Sequence, residues 1–270
     1  MKIAFIGFGN MAKAIATPLQ AHSQYQLWAA APSLPVAYVE QGVSTHPDNL
    51  AILEHAEVVI LAVKPAQMLD VLTQISEAIP ADALVVSVAA GITLTWLAKH
   101  CRKQQALVRC MPNIAVAIGK GATPLIANQY VQAMQKQHIE TLFSQMGIVT
   151  WTEDETDIDR FTALSGSGPA YVFLFLEALI HGAQALGLKY PVARTFALQT
   201  LQGAHDLAYQ QVTAIELLRE QVTSKKGTTA AALEVLEDGG FQHTVQQAMQ
   251  AAFTRAQQLS AIVSQGEVSS

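Results

Sequence analysis

The chain has 270 residues, 51% hydrophobic and 14% charged, with a formal net charge of -5. That length allows one large domain or two modest ones, and the composition excludes a disordered polymer. The acidic balance argues against a nucleic-acid partner, which calls for a basic face or stripe.

The chain opens with a lysine and a short apolar run that breaks at Gly7 and Gly9, unlike a secretory signal. The longest apolar stretch, Ala170 to Leu176, stops at Glu177 and is too short to span a bilayer. The expectation is a cytoplasmic protein with no membrane partner. Cys101 and Cys110 form no CxxC pair, and read as small buried residues in a reducing compartment. The eight histidines are scattered with no HExxH spacing, so no metal is expected.

Up to about residue 152 short apolar runs alternate with helix-like stretches. The runs are Lys2–Gly7, Gln26–Ala30, Val58–Val63, Leu84–Ala89 and Leu107–Met111. Several are near-continuous Val, Ile, Leu and Ala, as in strands buried on both faces. Met11–Ala21 and Met68–Ile79 carry apolar residues at helical spacing. This alternation predicts a doubly wound, mostly parallel sheet, an α/β Rossmann domain over residues 1–155.

Beyond Glu153-Asp-Glu-Thr-Asp157 the pattern becomes helical. Ala170–Leu186, Val192–Gln210, Ile215–Val222, Thr229–Leu236 and Val245–Ser264 are rich in Ala, Leu and Gln, which predicts an all-helical domain over 156–270. Its apolar excess points to burial against a second copy of the chain, as a homodimer, the alternative being a self-contained bundle. Residues 265–270 read as a frayed tail.

Gly7-Phe8-Gly9-Asn10-Met11-Ala12 follows the first strand and opens a helix. In that setting GxGxxA reads as a dinucleotide fingerprint, the alternative being an ordinary glycine-rich β–α turn. Gly7 permits the tight turn, Gly9 lets a diphosphate approach, and Ala12 lets the helix pack on the strand. The helix start then offers unpaired N–H groups to the phosphates. The second strand ends Ala29-Ala30-Ala31-Pro32-Ser33 with no acid to take a ribose 2′-hydroxyl, which permits NADPH, with NADH allowed. Ser33 is either a cofactor contact or a plain turn residue. Lys64, in Ala62-Val63-Lys64-Pro65, faces the cofactor or substrate, or is simply a solvated strand-end lysine. Ala89-Ala90-Gly91 is either a close nicotinamide wall or a tight turn before a helix capped by Thr93 or Thr95.

Several segments together resemble one family. Gly7–Ala12, Ala62–Pro65, Val86–Gly91, Arg109-Cys-Met-Pro-Asn113, Leu164-Ser-Gly-Ser-Gly-Pro-Ala-Tyr171 and Val222-Thr-Ser-Lys-Lys-Gly-Thr-Thr229 occur in the order found in pyrroline-5-carboxylate reductases. The resemblance implies a Rossmann domain followed by a helical dimerisation domain, and reduction of L-1-pyrroline-5-carboxylate to L-proline with NADPH or NADH. It implies that Ile6, Gly7, Phe8, Gly9, Asn10, Met11, Asn49, Ala62, Val63, Lys64, Pro65, Ala89, Ala90 and Gly91 line the cofactor site. It implies that Ser224, Lys225, Lys226, Gly227, Thr228 and Thr229 hold the substrate carboxylate, with Thr229 as the hydroxyl near the imine nitrogen. It also implies dimers, often assembled into larger rings.

Three departures stand out. Lys225 and Lys226 replace the family's usual proline and glycine. Should Lys226 need φ > 0, it bears a backbone penalty that glycine avoids. Ile114-Ala115-Val116 replaces Thr-Pro-Ala after Met-Pro-Asn, and Ala31 replaces a small hydroxyl residue. Two rivals share this pattern. A β-hydroxyacid dehydrogenase would need a lysine on the first helix of the second domain, where Glu177 and His181 stand instead. The other is a cofactor-binding sensor or scaffold without turnover, for which the altered Lys225-Lys226 loop leaves room. For Ser165–Pro169, a pocket wall and an interdomain hinge are both readings. For Thr228 and Thr229 the plain alternative is a helix cap.

Overall fold

The computed structural model describes residues 1–36, 38–40 and 42–264. The expected tail at 265–270 lies outside them. The first elements are β1 (Lys2–Ile6), α1 (Asn10–Leu19), β2 (Gln26–Ala30), β3 (Tyr38–Glu40), β4 (Val43–His46) and β5 (Val58–Leu61). They are followed by α2 (Met68–Ile75), β6 (Leu84–Ser87), α3 (Leu94–His100), β7 (Ala106–Cys110), β8 (Gly121–Ala127), α4 (Ala133–Ser144) and β9 (Gly147–Trp151). The rest is helical: α5 (Glu155–Phe161), a π-helical turn (Thr162–Gly166), α6 (Gly168–Ala185), α7 (Tyr190–Gln210), α8 (Ile215–Gln221), α9 (Thr228–Asp238) and α10 (Phe241–Ser264).

The five strands expected from apolar runs are present: β2 has the expected bounds, β1, β5 and β6 are shorter by one or two residues where a loop begins, and β7 starts and ends one residue earlier. Four more were not foreseen. β3 and β4 are short, β8 contains Gly121 and Pro124, and β9 is an edge strand whose residues alternate in exposure. None of these four carries the continuous apolar run of a strand buried on both faces.

Chain contacts divide the protein into two compact units, Met1–Pro169 with Ala251–Ser270, and Ala170–Gln250. The change of composition at 155/156 coincides with the first residue of α5.

In the first unit the sheet order is β3-β4-β2-β1-β5-β6-β7-β8-β9. Pairing is parallel except where β3 meets β4 and β7 meets β8. Side chains alternate between the two faces. Ile3, Phe5, Val58 and Ile60 pack with Ile15 and Leu19 of α1 and Phe143 of α4. Ala4, Ile6, Val59 and Leu61 pack on the other face with Met68 of α2, Leu97 of α3 and Val263 of α10. Both faces are covered, which is why β5 and β6 are buried at every position. The result is the expected doubly wound, mostly parallel sheet.

The second unit is wholly helical and poorly supplied with a core of its own. Leu176, Ala193 and Ala197 are buried, while Leu186, Phe196, Tyr209, Val212 and Val235 are each more than half exposed. Exposed apolar side chains in that number mark an interaction surface.

Candidate active site

The glycine turn after β1 has the geometry a diphosphate needs. Gly7 has φ +85°, and a Cβ there would lie 2.7 Å from Val63 Cγ1 and 3.0 Å from the Ala62 backbone. Only glycine fits, because the turn is pressed against the end of β5. Gly9 differs: a Cβ on it would meet nothing within 4 Å, so the space in front of it is free of protein. Gly9 caps α1 without a side-chain bond, and the first turn holds no acid. The first helical bond runs from Lys13 N–H to Gly9 O at 3.0 Å, which leaves the amides of Asn10, Met11 and Ala12 outside the helical ladder. An open space, free amides and a helix start together suit phosphate oxygens. The Phe8 side chain turns inward, edge-on to Phe5 at 5.9 Å, so residue 8 offers its backbone to the turn.

The ends of β1, β5 and β6 are tied side by side. Ala62 N–H donates to Ile6 O at 2.9 Å and Val88 N–H to Leu61 O at 3.1 Å. This places Ala62–Pro65 beside the Gly7 turn and Ala89–Gly91 one strand further on, all at the carboxyl edge where open α/β sheets bind ligands. Lys64 is exposed there, just before a 3₁₀ turn begun by Pro65. Gly91 has φ +78°, and a Cβ on it would lie 3.0 Å from the Leu259 backbone of α10. Close approach of α10 therefore requires this glycine, whatever else the turn touches. Thr93, not Thr95, caps α3, accepting from Trp96 N–H at 3.1 Å. On the other side of β1, Ser33 lies exposed in the turn after β2. Asn49 follows β4 and donates to Gln74 Oε1 at 3.0 Å, which ties it to α2.

In the helical unit, Ser224–Thr229 forms a tight turn into α9. Gly227 N–H donates to Ser224 O at 3.0 Å. A Cβ on Gly227 would collide with Ser224 Oγ. Gly227 is itself the helix cap, with no side-chain bond. The plain alternative for Thr228 and Thr229 is thereby corrected: both lie inside the first turn and neither caps it. The next ladder bond is Ala231 N–H to Gly227 O at 3.2 Å, so the amides of Thr228, Thr229 and Ala230 stay free. Lys226 does sit in the left-handed region, at φ +60°. Two lysines ahead of a helix start oppose its dipole. Neither strain nor charge thus helps the helix, and the charge favours an anion placed there.

Replacing Lys226 with glycine relieves about 1–2 kcal/mol of left-handed strain and costs about 0.5–1 kcal/mol in chain entropy. The expected net gain, about 0.5–1 kcal/mol, should raise the urea midpoint. An unchanged or lower midpoint would show that the lysine is at ease there.

The sequence reading missed a buried ion cluster. Arg109, on β7, has a side chain only 1% exposed. Its Nη1 donates to Glu155 Oε1 and its Nη2 to Asp159 Oδ1, each at 3.0 Å. Glu155 Oε1 also accepts from Leu94 N–H at 2.7 Å, which joins β7, α5 and the start of α3. Nearby, Asn113 Nδ2 donates to Ser165 O at 3.0 Å while its Oδ1 accepts from Ala115 N–H at 3.2 Å. Ser165 belongs to the π-helical turn, a feature that often marks functional segments. Burial raises both thiols, Cys101 to about 12 and Cys110 further, the latter partly countered by Arg109. Neither cysteine is a nucleophile at neutral pH.

A doubly wound sheet with an open glycine turn at its first crossover defines a dinucleotide-dependent oxidoreductase fold. Comparison with known proteins agrees. Residues 2–91 match the family described as NADP oxidoreductase, coenzyme F420-dependent. Residues 155–259 match the pyrroline-5-carboxylate reductase dimerisation family, so a dimerisation domain is present. The pyrroline-5-carboxylate reductase of Pseudomonas aeruginosa is 37% identical over 96% of this chain and 96% of its own. The solved structure of that enzyme from Coxiella burnetii superposes with a TM-score of 0.85 at 37% identity, covering 96% of this chain and 98% of that one. The Plasmodium falciparum pyrroline carboxylate reductase, solved with NADP bound, gives a TM-score of 0.89 at 27% identity, covering 96% and 98%. The chain belongs to the pyrroline-5-carboxylate reductase family.

Proposed function

We propose that this chain reduces L-1-pyrroline-5-carboxylate to L-proline, the last step of proline biosynthesis, using NADPH, with NADH as a second donor. The observation that carries this reading is identity of 37% with a named reductase along 96% of the chain. Bound nicotinamide supplies the hydride that the imine carbon accepts, and the imine nitrogen takes a proton.

The protein's share is to bind, orient and exclude water. Residues 1–155 hold the cofactor: the amides at Gly9–Ala12 face the diphosphate, with Ile6–Met11, Ser33, Asn49, Ala62–Pro65 and Ala89–Gly91 around it. Residues 156–270 hold the substrate and the partner copy. The free amides of Thr228, Thr229 and Ala230 take the carboxylate, and Lys225 and Lys226 add positive charge beside it. Thr229 Oγ has no partner among the described residues, and serves to position the imine nitrogen. A threonine hydroxyl is a weak acid, so positioning comes first and proton relay second.

The helical unit's exposed apolar side chains are read as the interface of a homodimer, or of a ring of dimers. The sequence reading ended the apolar stretch at Glu177. In the structure helix continues, and the run Glu155–Ala185 is long and apolar enough to cross a membrane by length and composition. The match of 155–259 to a dimerisation family supports a second copy of the chain as the cover of that surface, and the cytoplasm is our reading of its compartment.

Following NADPH oxidation with pyrroline-5-carboxylate tests the reading. Steady turnover is expected. Tight NADPH binding without turnover would favour a sensor instead. In Thr229→Ala one hydrogen bond near the reacting nitrogen is lost, and kcat/KM should fall about tenfold. Cofactor affinity should hold. Unaltered kinetics in that variant would remove Thr229 from the site.

A further inference from the structure

We propose that His46 reads the 2′-position of the adenosine ribose and sets the preference for NADPH. This rests on the Gly7–Met11 turn being the diphosphate cradle. From that turn a row of backbone bonds crosses the carboxyl edge of the sheet. Gly7 N–H donates to Ala30 O at 2.8 Å, and Ala31 N–H donates to His46 O at 3.3 Å. His46 is the last residue of β4 and pairs in register with Ala30 of β2. It therefore lies two strand spacings from β1, about 10 Å. The adenosine ribose, joined directly to the diphosphate, is the part of the cofactor that spans this edge.

The chemistry at this edge selects His46. The end of β2 offers Ala31, Pro32 and Ser33, with neither a carboxylate for a 2′-hydroxyl nor an arginine for a 2′-phosphate. Asp48 is turned to a local task, its Oδ1 accepting from Leu50 N–H at 3.0 Å. His46 Nδ1 lies 3.0 Å from Asp48 N–H and 3.3 Å from Asp48 O; the shorter contact, from a donor, makes Nδ1 the acceptor, holds the ring and places its proton on Nε2. That Nε2–H has no partner among the described residues. A held ring with a free donor, half-buried at the ribose end of the cradle, suits an anionic oxygen. Ser33 can add a second donor.

Titration calorimetry of the full chain with 2′,5′-ADP and with 5′-AMP tests this without turnover. The wild-type chain should hold 2′,5′-ADP more tightly. His46→Ala should weaken 2′,5′-ADP about tenfold, the worth of one hydrogen bond to a charged group, and leave 5′-AMP within about twofold. His46→Gln, which keeps an N–H donor, should recover most of the loss. The NADPH-to-NADH ratio of kcat/KM should fall in step in His46→Ala. Unchanged 2′,5′-ADP affinity in that variant overturns the assignment and leaves the cradle standing, as does equal loss of both probes. Wild-type chain that binds neither probe overturns the cradle itself, and His46 with it.

Discussion

Gly9→Val should lose cofactor binding while keeping its fold. A Cβ on Gly9 meets nothing within 4 Å beyond its chain neighbours, so the new side chain starts into open space rather than into the protein. Its φ of -78° is one that any residue adopts. The collision falls only on whatever lies before the free amides of Asn10–Ala12. Loss of two charge-assisted bonds to a phosphate costs about 3 kcal/mol or more, roughly a hundredfold in affinity. The measurement is NADPH affinity by fluorescence, with the thermal midpoint recorded beside it. The expected result is a large loss of affinity with an unchanged midpoint. The neighbouring glycine makes the contrast, since any side chain at Gly7 strikes Val63 and the Ala62 backbone. Retained NADPH affinity in Gly9→Val would show that the phosphates bind elsewhere.

These two glycines also show what a sequence can and cannot reveal. Their places were legible, because a strand, a glycine pair and a helix start occur together in few contexts. Their different duties were not, because only the packing of β5 tells which one faces protein and which faces open space. The same holds for Lys226. Its departure from the family pattern was visible, but its φ of +60° is a fact of the folded turn. Gly91 was read as a nicotinamide wall or a turn, and the approach of Leu259, 168 positions along the chain, left no local trace. Strands such as β9 escaped for another reason. At a sheet edge one face is wet, so alternate residues of Gly147–Trp151 are exposed, and the apolar pair Ile148-Val149 stops at Thr150, short of the run that marks a strand buried on both faces. The charged stretch Glu153–Asp157 read as a boundary. Part of it lies in α5, and Glu155 there is bound to a buried cation. The signal that could have found this is Arg109 itself: an arginine inside the buried strand Ala106–Cys110 must be paired. Acids four apart on one helix, Glu155 and Asp159, were the available partners.

Arg109→Ala should strongly destabilise the first unit. Removing the guanidinium leaves Asp159, 10% exposed, with no countercharge, and Glu155, 28% exposed, held only by Leu94 N–H. Breaking a buried pair in this way costs about 3–5 kcal/mol, toward the lower end here because Glu155 keeps some water. The loss should appear as a fall in the urea midpoint with little change in slope. The cluster is not, however, a strong net source of stability. Arg109 Nε is buried without a partner, and three desolvated charges are costly to assemble. A triple variant, Arg109→Met with Glu155→Gln and Asp159→Leu, should therefore regain most of what Arg109→Ala loses. The two results separate the cost of orphaned carboxylates from the worth of the cluster. If the triple variant is as unstable as Arg109→Ala, the ion pairs themselves hold β7 to α5. If Arg109→Ala alone unfolds at the wild-type midpoint, the carboxylates reach water and the cluster is not buried in solution.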